Sequence, residues 1–169
     1  MHQNQIKNID TYIDIQKFRF GDKFNVIKML DVVDLDNIAI PKLTLQPIVE
    51  NAIYHGIEMS EKTGKIIIRF TLTDTRLIIR VSDNGVCIDE KTLEELNESL
   101  KSFDQENMKN NRNVNHGIAI KNVNERIKLH FGNQYGVCIY SVKDLGTDVD
   151  IIIPIEKPKR DFFTGDITI

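Results

Sequence analysis

Apolar and polar positions alternate along the chain in two rhythms, which predict a protein of mixed helices and strands. Apolar residues that recur every three or four positions predict four helices, over 3–18, 44–56, 89–101 and 117–131. Runs rich in β-branched residues predict strands over 23–30, 37–40, 65–73, 76–82, 135–142 and 148–153. The polar stretch 102–115 holds few apolar anchors, and we expect a mobile lid there.

Residues at the predicted helix ends agree with these assignments. Gly21 and Gly132 follow the first and last helices, as glycine commonly does at a helix C-terminus. Thr44 and Asp89 are suited to cap the second and third helices, and Pro47 is tolerated within a first turn. Because the strands at 65–73 and 76–82 are joined by a short turn, they form an antiparallel pair. The order of elements predicts an α/β fold, a two-layer sandwich whose mixed, mostly antiparallel sheet is covered on one face by about three helices.

Composition narrows the classes of function. With 169 residues, 41% of them hydrophobic and 28% charged, the chain suits a single globular domain. A formal net charge of −3 argues against nucleic acid or anionic lipid as a general partner. Two cysteines without a CxxC pattern suit reduced thiols, and no apolar run is long enough to cross a bilayer. We therefore expect a soluble, cytoplasmic chain without membrane contact.

Asn51 and His55 lie four residues apart on the second helix and therefore share one face. The neutral amide oxygen of Asn51 suits Mg²⁺ that is already surrounded by triphosphate oxygens, and His55 and Tyr54 could donate to phosphate. On its own the pattern is weak, because an asparagine on an amphipathic helix is more often simply solvated.

Asp83 follows an apolar strand, so its carboxylate is held at the end of a sheet and must find hydrogen-bond donors. The amino group of adenine is such a donor, and guanine carries a carbonyl at the equivalent position. Gly85 would let the backbone pass close to the ring. Taken alone, Asp83-Asn84-Gly85 is a common turn sequence.

Gly117 opens the fourth helix, whose free amides and dipole favour a triphosphate. This segment is interpreted equally well as an amphipathic helix that begins at glycine and binds no ligand. Gly146-Thr147, between the last two strands, is by itself more often a hairpin turn. The order of all four motifs along the chain is more specific than any one of them.

With these residues in place, the chain resembles the GHKL (Bergerat-fold) ATP-binding superfamily, and most closely the LytS/YesM-type sensor histidine kinases. Residues 40–56, IPKLTLQPIVENAIYHG, resemble the N box of that family, and residues 12–21 resemble its usual lead-in. Residues 83–88 are similar to the G1 box, residues 117–126 to the G2 box, and Gly146-Thr147 to the final Gly-Thr element. The resemblance covers roughly residues 9–154.

The resemblance implies functional residues at the matching positions and ATP and Mg²⁺ as cofactors. Asn51 is the implied Mg²⁺ ligand, and Asp83 is the implied adenine acceptor. His55 would lie near the phosphates, and Glu50 and His55 are candidates for a catalytic role. The remaining implied nucleotide contacts are Gly85, Cys87, Gly117, Ile118, Ala119 and Thr147.

Two positions depart from the family pattern, since Cys87 and Ala119 stand where the G1 and G2 boxes have a second glycine. Each fits at little cost if its φ is negative, whereas a left-handed backbone would strain it by about 1–2 kcal/mol. A methyl group at Ala119 could also push phosphate off the helix amides. A thiol beside the adenine pocket could be modifiable, although a small buried cysteine is commoner.

The resemblance implies the ATP-binding catalytic module of a bacterial protein-histidine kinase, a phosphotransferase of a two-component system. Its phosphoacceptor histidine would lie upstream, so that 1–20 is the end of a dimerisation helix or a linker, 21–155 the catalytic domain and 156–169 a tail. The partners would be that dimerisation domain and a response regulator, in a homodimeric parent at the plasma membrane. A degenerate, non-catalytic regulator is the alternative. A gyrase-like ATPase is disfavoured, because Pro47 stands where such enzymes place the carboxylate that activates water.

Overall fold

The computed structural model describes residues 4–30, 40–54, 63–101 and 117–155. Within these ranges the helices are α1 (Asn4–Phe20), α2 (Leu45–Asn51), α3 (Glu90–Lys101) and α4 (Ile118–Phe131). The strands are β1 (Phe24–Leu30), β2 (Gly64–Leu72), β3 (Arg76–Asp83), β4 (Gly136–Val142) and β5 (Gly146–Pro154). The predicted order of these elements is confirmed. None of the helices in the described ranges is both long and apolar enough to cross a membrane.

Several predicted features lie outside the described residues: the lid at 102–115, the tail at 156–169, and most of the extended piece at 37–40, of which only Ile40 is described and is not in a strand. The predicted end of the second helix at Gly56 also lies outside them. Regular α2 ends at Asn51, and residues 52–54 continue as a wider, π-helical turn. Such turns often occur at functional sites.

The five strands form one mixed sheet in the order β1-β2-β3-β5-β4. β1 pairs with β2 in parallel, and the other three pairings are antiparallel. This confirms the expected mixed, mostly antiparallel sheet, and β1 and β4 are its edge strands. The short turn over residues 73–75 makes β2 and β3 neighbours and brings the end of β3 level with the start of β2.

Alternate residues of the central strands point into one buried core, and the helices cover that face of the sheet. Ile9 and Ile13 of α1 are 1% and 5% exposed and belong to the same core. The four helices of the described ranges therefore lie on this face, in agreement with the expected cover of about three helices. On the opposite face, Arg80 donates two hydrogen bonds of 2.6 Å to the Asp150 carboxylate.

The two predicted helix caps have different outcomes. Asp89 does cap α3, since its Oδ1 accepts a hydrogen bond of 3.0 Å from the Thr92 amide. Thr44 precedes α2, but its side chain makes no capping hydrogen bond, so that prediction is wrong. Its backbone is already helical (φ −88°, ψ −49°), whereas a capping residue is usually extended, and its buried hydroxyl has no hydrogen-bond partner among the described residues.

Two asparagine side chains form hydrogen bonds with backbone groups on the free edge of β4. The Asn97 amide on α3 both donates to the Ile139 carbonyl (2.9 Å) and accepts from the Ile139 amide (3.3 Å). Asn124 on α4 is 2% exposed and accepts from the Val137 amide at 2.9 Å. These side chains take the place of a further strand, so the last strand of the sheet is held to α3 and α4.

Candidate nucleotide site

A small cavity of about 60 Å³ lies between α2, β3, β5 and the first turn of α4. Three polar side chains line it, namely Asn51, Asp83 and Thr147. The rest of its wall is apolar and consists of Ile48, Ala52, Val81, Val86, Ile88, Ile120, Ile139 and Val149. Side chains that are far apart in the sequence thus converge on one largely apolar hollow, which is the usual character of a site for a small organic ligand.

Asn51 reaches the cavity because it is the last residue of regular α2, at the point where the helix widens. Its amide offers a neutral oxygen ligand of the kind that Mg²⁺ accepts. In the part of the chain that the structure describes, no cluster of three or more His, Cys, Asp or Glu side chains could hold a metal ion. His55, the other residue proposed on this helix, lies outside the described residues.

Asp83 is the last residue of β3, and its largely buried carboxyl group forms part of the cavity wall. Burial raises the pKa of Asp83 from about 3.8 to about 6. A hydrogen bond of 2.9 Å from the Gly85 amide to Oδ1 acts in the opposite direction, and the charge of Asp148 adds to the increase. The carboxylate is thus held at an energetic cost, facing a position where a ligand donor would relieve it.

Asn84 anchors the loop that follows Asp83. Its side-chain Oδ1 accepts a hydrogen bond of 2.6 Å from the Lys65 backbone amide, and its backbone amide donates to the Lys65 carbonyl at 3.2 Å. These contacts hold the loop to the start of β2, and Asp83 with it. From the sequence alone Asn84 was only part of a common turn motif, because a cross-strand contact of this kind leaves no local signature.

Gly146 and Thr147 begin β5 directly beside Asp83, with Thr147 paired to Asp83 across the strands. Gly146 has φ +119°, and a Cβ there would overlap the Asp83 carbonyl oxygen and lie 2.9 Å from the Asn84 Cα. Only glycine permits this approach. Ser141, which the sequence did not single out, links the same region: its hydroxyl accepts from the Ile88 amide at 2.9 Å and lies 3.0 Å from the Thr147 hydroxyl.

Gly117 precedes α4 with φ +90°, a left-handed conformation that favours glycine. A Cβ at this position would lie 2.5 Å from Leu96 Cδ1, at the end of a flexible side chain that could move aside, so the left-handed φ is the stronger reason for glycine here. Gly117 has no side chain that could cap the helix, so among the described residues its first amides receive no capping hydrogen bond. The start of α4 contacts the cavity through Ile120, whereas Gly117, Ile118 and Ala119 are not part of the cavity wall.

The two positions that depart from the family pattern are unstrained. Leu43 and Asp144 are the positive-φ residues other than glycine among the described residues, so neither Cys87 nor Ala119 adopts the left-handed conformation. The Cys87 thiol donates to the Val142 carbonyl at 2.8 Å, and its neighbours Val86 and Ile88 line the cavity instead. The backbone of both boxes therefore accommodates a side chain at these positions.

Glu50, the candidate catalytic residue beside Asn51, faces away from the cavity. Its carboxylate accepts a hydrogen bond of 2.9 Å from Gln46 one turn earlier on α2. Burial, with the negative charge of Glu50 as the second cause, raises the pKa of Tyr12 on α1 to about 12. Glu50 therefore lies towards α1, because neighbouring residues on a helix project in different directions.

The polar and apolar groups in the cavity wall fit a purine nucleotide with a magnesium ion. The acceptor Asp83, the hydroxyl of Thr147 and the apolar wall suit a base, and Asn51 in the same wall could ligate a metal ion. A volume of about 60 Å³ is well below the roughly 300–1,000 Å³ of typical ligand pockets. The hollow therefore has room for only part of a nucleotide.

A family model described as "Histidine kinase-, DNA gyrase B-, and HSP90-like ATPase" matches residues 40–157. Among curated relatives, the chain is 34% identical to the sensor protein LytS of Oceanobacillus iheyensis over 92% of its own length and 25% of that protein. It is 34% identical to the sensor histidine kinase YpdA of Escherichia coli (92% and 24%) and 33% identical to the sensor histidine kinase YesM of Bacillus subtilis (90% and 23%). The chain spans about a quarter of the length of these relatives.

Solved structures share the fold at low sequence identity. The catalytic domain of the histidine kinase ThkA matches with a TM-score of 0.62 and 17% identity, over 92% of this chain and 93% of that one. ThkA in complex with the response regulator protein TrrA gives 0.62 and 16%, over 95% of this chain and 42% of that one. The histidine kinase domain of a blue-light activated kinase from Erythrobacter litoralis gives 0.54 and 17%, over 84% and 56%. The α/β fold is therefore that of histidine kinase catalytic domains.

Proposed function

The chain belongs to the histidine kinase-, DNA gyrase B- and HSP90-like ATPase family, and we propose that it is a kinase module that presents the γ-phosphate of ATP to a histidine on a separate dimerisation domain. The observation that carries this proposal is the convergence of Asn51, Asp83 and Thr147 on one cavity beside the start of α4. A phosphotransferase of this kind works mainly by positioning and by neutralising charge.

Each side chain has a distinct part in this proposal. Asp83 accepts from the amino group of adenine, which selects adenine over guanine. Asn51 contributes one oxygen to Mg²⁺, and the free amides at the start of α4, from Gly117 onwards, receive phosphate oxygens. Bound MgATP would supply the phosphoryl group. His55, Gly85, Cys87 and Ile118 stay candidate contacts, with their partners to be identified by experiment.

Among the described residues, the proposed site holds no carboxylate placed one turn before Asn51 to activate water. Pro47 stands one helical turn before Asn51, and Glu50 is turned towards Gln46 and Tyr12. A module without such a base favours transfer to a histidine over hydrolysis. The negative φ of Cys87 and Ala119 supports nucleotide binding, because neither replacement strains the loops that would contact ATP. A non-catalytic regulator is the alternative that the experiment below separates.

The parent protein is expected to resemble its relatives beyond this module. The relatives are sensor proteins about four times the length of the chain, and ThkA was solved with a response regulator. We therefore propose a homodimeric, membrane-anchored parent that carries this module on its cytoplasmic side. In that arrangement the phosphoryl group passes to a response regulator of its own.

Calorimetric titration of MgATP tests the proposal first. The wild-type protein is expected to bind MgATP, and Asn51→Ala or Asp83→Ala is expected to bind about 10- to 100-fold more weakly, as for loss of a contact to a charged group. Asn133→Ala, in the exposed turn before β4, is the matched control and should bind like the wild type. Absence of binding by the wild type at millimolar ATP would favour the regulator.

Phosphotransfer is tested with the dimerisation helices of the parent protein added in trans and γ-labelled ATP. Label is expected on their histidine with the wild-type module, and transfer should be largely lost with Asn51→Ala. Transfer at the full rate by Asn51→Ala would show that the metal ligand is assigned wrongly.

A further inference from the structure

Arg126 connects α4 to the turn that leads into α2. Its Nη1 donates to the Lys42 carbonyl at 3.0 Å and to the Leu43 carbonyl at 3.1 Å. Both acceptors are backbone oxygens immediately before the helix that carries Asn51 at its other end. One guanidinium group thus joins the two helices that border the cavity.

The turn that Arg126 holds is conformationally unfavourable. Leu43 has φ +59°, a left-handed conformation that residues with a Cβ rarely adopt. Its side chain is 57% exposed, so packing of that side chain offers little compensation. Thr44 supplies no cap to α2, and its hydroxyl is buried without a partner. The two charge-assisted hydrogen bonds from Arg126 help to hold this turn in the described structure.

The contact of Arg126 with the Leu43 turn can affect the candidate site because α2 is short and moves as a rigid unit. The helix is only seven residues long, so a shift or rotation at Leu45 is transmitted to Asn51. Ile48, Asn51 and Ala52 form the α2 side of the cavity, and Ile120 forms the α4 side. Asp83 lies on β3 and does not depend on this connection. Arg126 itself is not part of the cavity wall.

We propose that Arg126 is a positioning residue, which holds the Leu43 turn and so fixes Asn51 relative to the phosphate-binding start of α4. The proposal rests on the proposed function, because it concerns the placement of the metal ligand of that same site. It assigns to Arg126 an effect on metal-dependent binding of the triphosphate and none on recognition of the base.

The test compares ATP affinity with Mg²⁺ and with EDTA in Arg126→Ala. We expect MgATP affinity to fall about tenfold, the size expected for losing a hydrogen bond to a charged group. Affinity for ATP in EDTA should change less than about twofold, because Asp83 is undisturbed. Arg126→Lys should lose less than Arg126→Ala, since an ammonium group can reach one carbonyl but lacks the planar geometry of guanidinium. A general loss of folding would lower both affinities equally.

A second-site variant tests whether Arg126 acts through the Leu43 turn. Glycine adopts φ +59° readily, so Leu43→Gly in the Arg126→Ala background is expected to restore most of the MgATP affinity. Arg76→Ala removes an exposed arginine that lies over the Tyr135 ring, and it is the matched control that should change neither affinity.

The outcomes separate the two proposals. If the wild type fails to bind MgATP, the proposed function itself is refuted. If the wild type binds and Arg126→Ala binds equally well, the positioning role is refuted and the function stands. If Leu43→Gly restores nothing, or if affinity in EDTA falls as much as affinity with Mg²⁺, Arg126 acts in another way and the inference fails. Should Arg126→Ala not fold, Arg126→Lys with and without Leu43→Gly gives the same comparison.

Discussion

Replacing Asp83 by asparagine should stabilise the protein at neutral pH while weakening its binding of ATP. The carboxyl group lies in the cavity wall, where burial raises its pKa from about 3.8 to about 6. Asparagine has the same shape, and its oxygen can still accept from the Gly85 amide. The substitution therefore removes the buried charge with little change in packing.

The magnitude follows from the difference between the folded and unfolded pKa. A raised pKa means that the folded state binds the proton more tightly than the unfolded state does. The contribution of Asp83 to stability is thus fully present below about pH 3.8 and is lost as the pH rises through about 6. The difference between a pKa of about 3.8 in the unfolded state and about 6 in the folded state corresponds to about 3 kcal/mol in the free energy of unfolding. We reduce this to about 2 kcal/mol because water still reaches the carboxyl group.

Urea unfolding of the two proteins across this pH range measures the effect. The advantage of Asp83→Asn in free energy of unfolding should be near zero at about pH 4 and reach about 2 kcal/mol at about pH 7. Other titrating groups are common to both proteins and largely cancel in the difference. Asp74→Asn, in the exposed β2–β3 turn, is the control and should show no such increase. A difference that does not vary with pH, or a wild type favoured at pH 7, would refute this account of the buried charge.

Three further substitutions test other parts of the site. Gly146→Ala should cost at least about 2 kcal/mol in thermal or urea unfolding, since a Cβ would overlap the Asp83 carbonyl oxygen; a near-neutral effect would contradict the close approach. Ala119→Gly should lose about 0.5–1 kcal/mol of stability without tightening MgATP binding in calorimetry, because the alanine is unstrained. Glu50→Gln should leave the rate of transfer to the added histidine within about twofold, and a large loss would show that Glu50 takes part.

The sequence predicted most of the fold because most of its elements are specified locally. The alternation in β2 and β3, the three-residue turn between them and the capping by Asp89 each depend on a few neighbouring residues, and all are found in the structure. The parallel pairing of β1 with β2 was not predicted, because the partner of an edge strand depends on contacts between distant residues. Burial of Ile9 and Ile13 in the same core is another contact of that kind.

The candidate site was also predicted from the sequence only in part. Asn51, Asp83 and Thr147 were identified from ordered motifs, and the structure brings their side chains to one cavity. Ser141 and Asn84 were missed as functional residues, because their hydrogen bonds join separate loops and strands and leave no spacing to detect. The prediction that Thr44 caps α2 failed for a similar reason, because its helical backbone and the burial of its side chain outweigh the general preference of threonine for the capping position.

Three residues near the candidate site are held at an energetic cost. Asp83 holds a buried charge in the cavity wall, Leu43 has a left-handed backbone, and Thr44 buries an unpartnered hydroxyl, the last two at the start of the helix that carries Asn51. A protein that needed only the fold could replace each of these residues and become more stable. Local strain of this kind is typically kept at functional sites. The cost at Asp83 is therefore the one that a bound nucleotide could relieve directly, whereas those at Leu43 and Thr44 could act on the site only through α2.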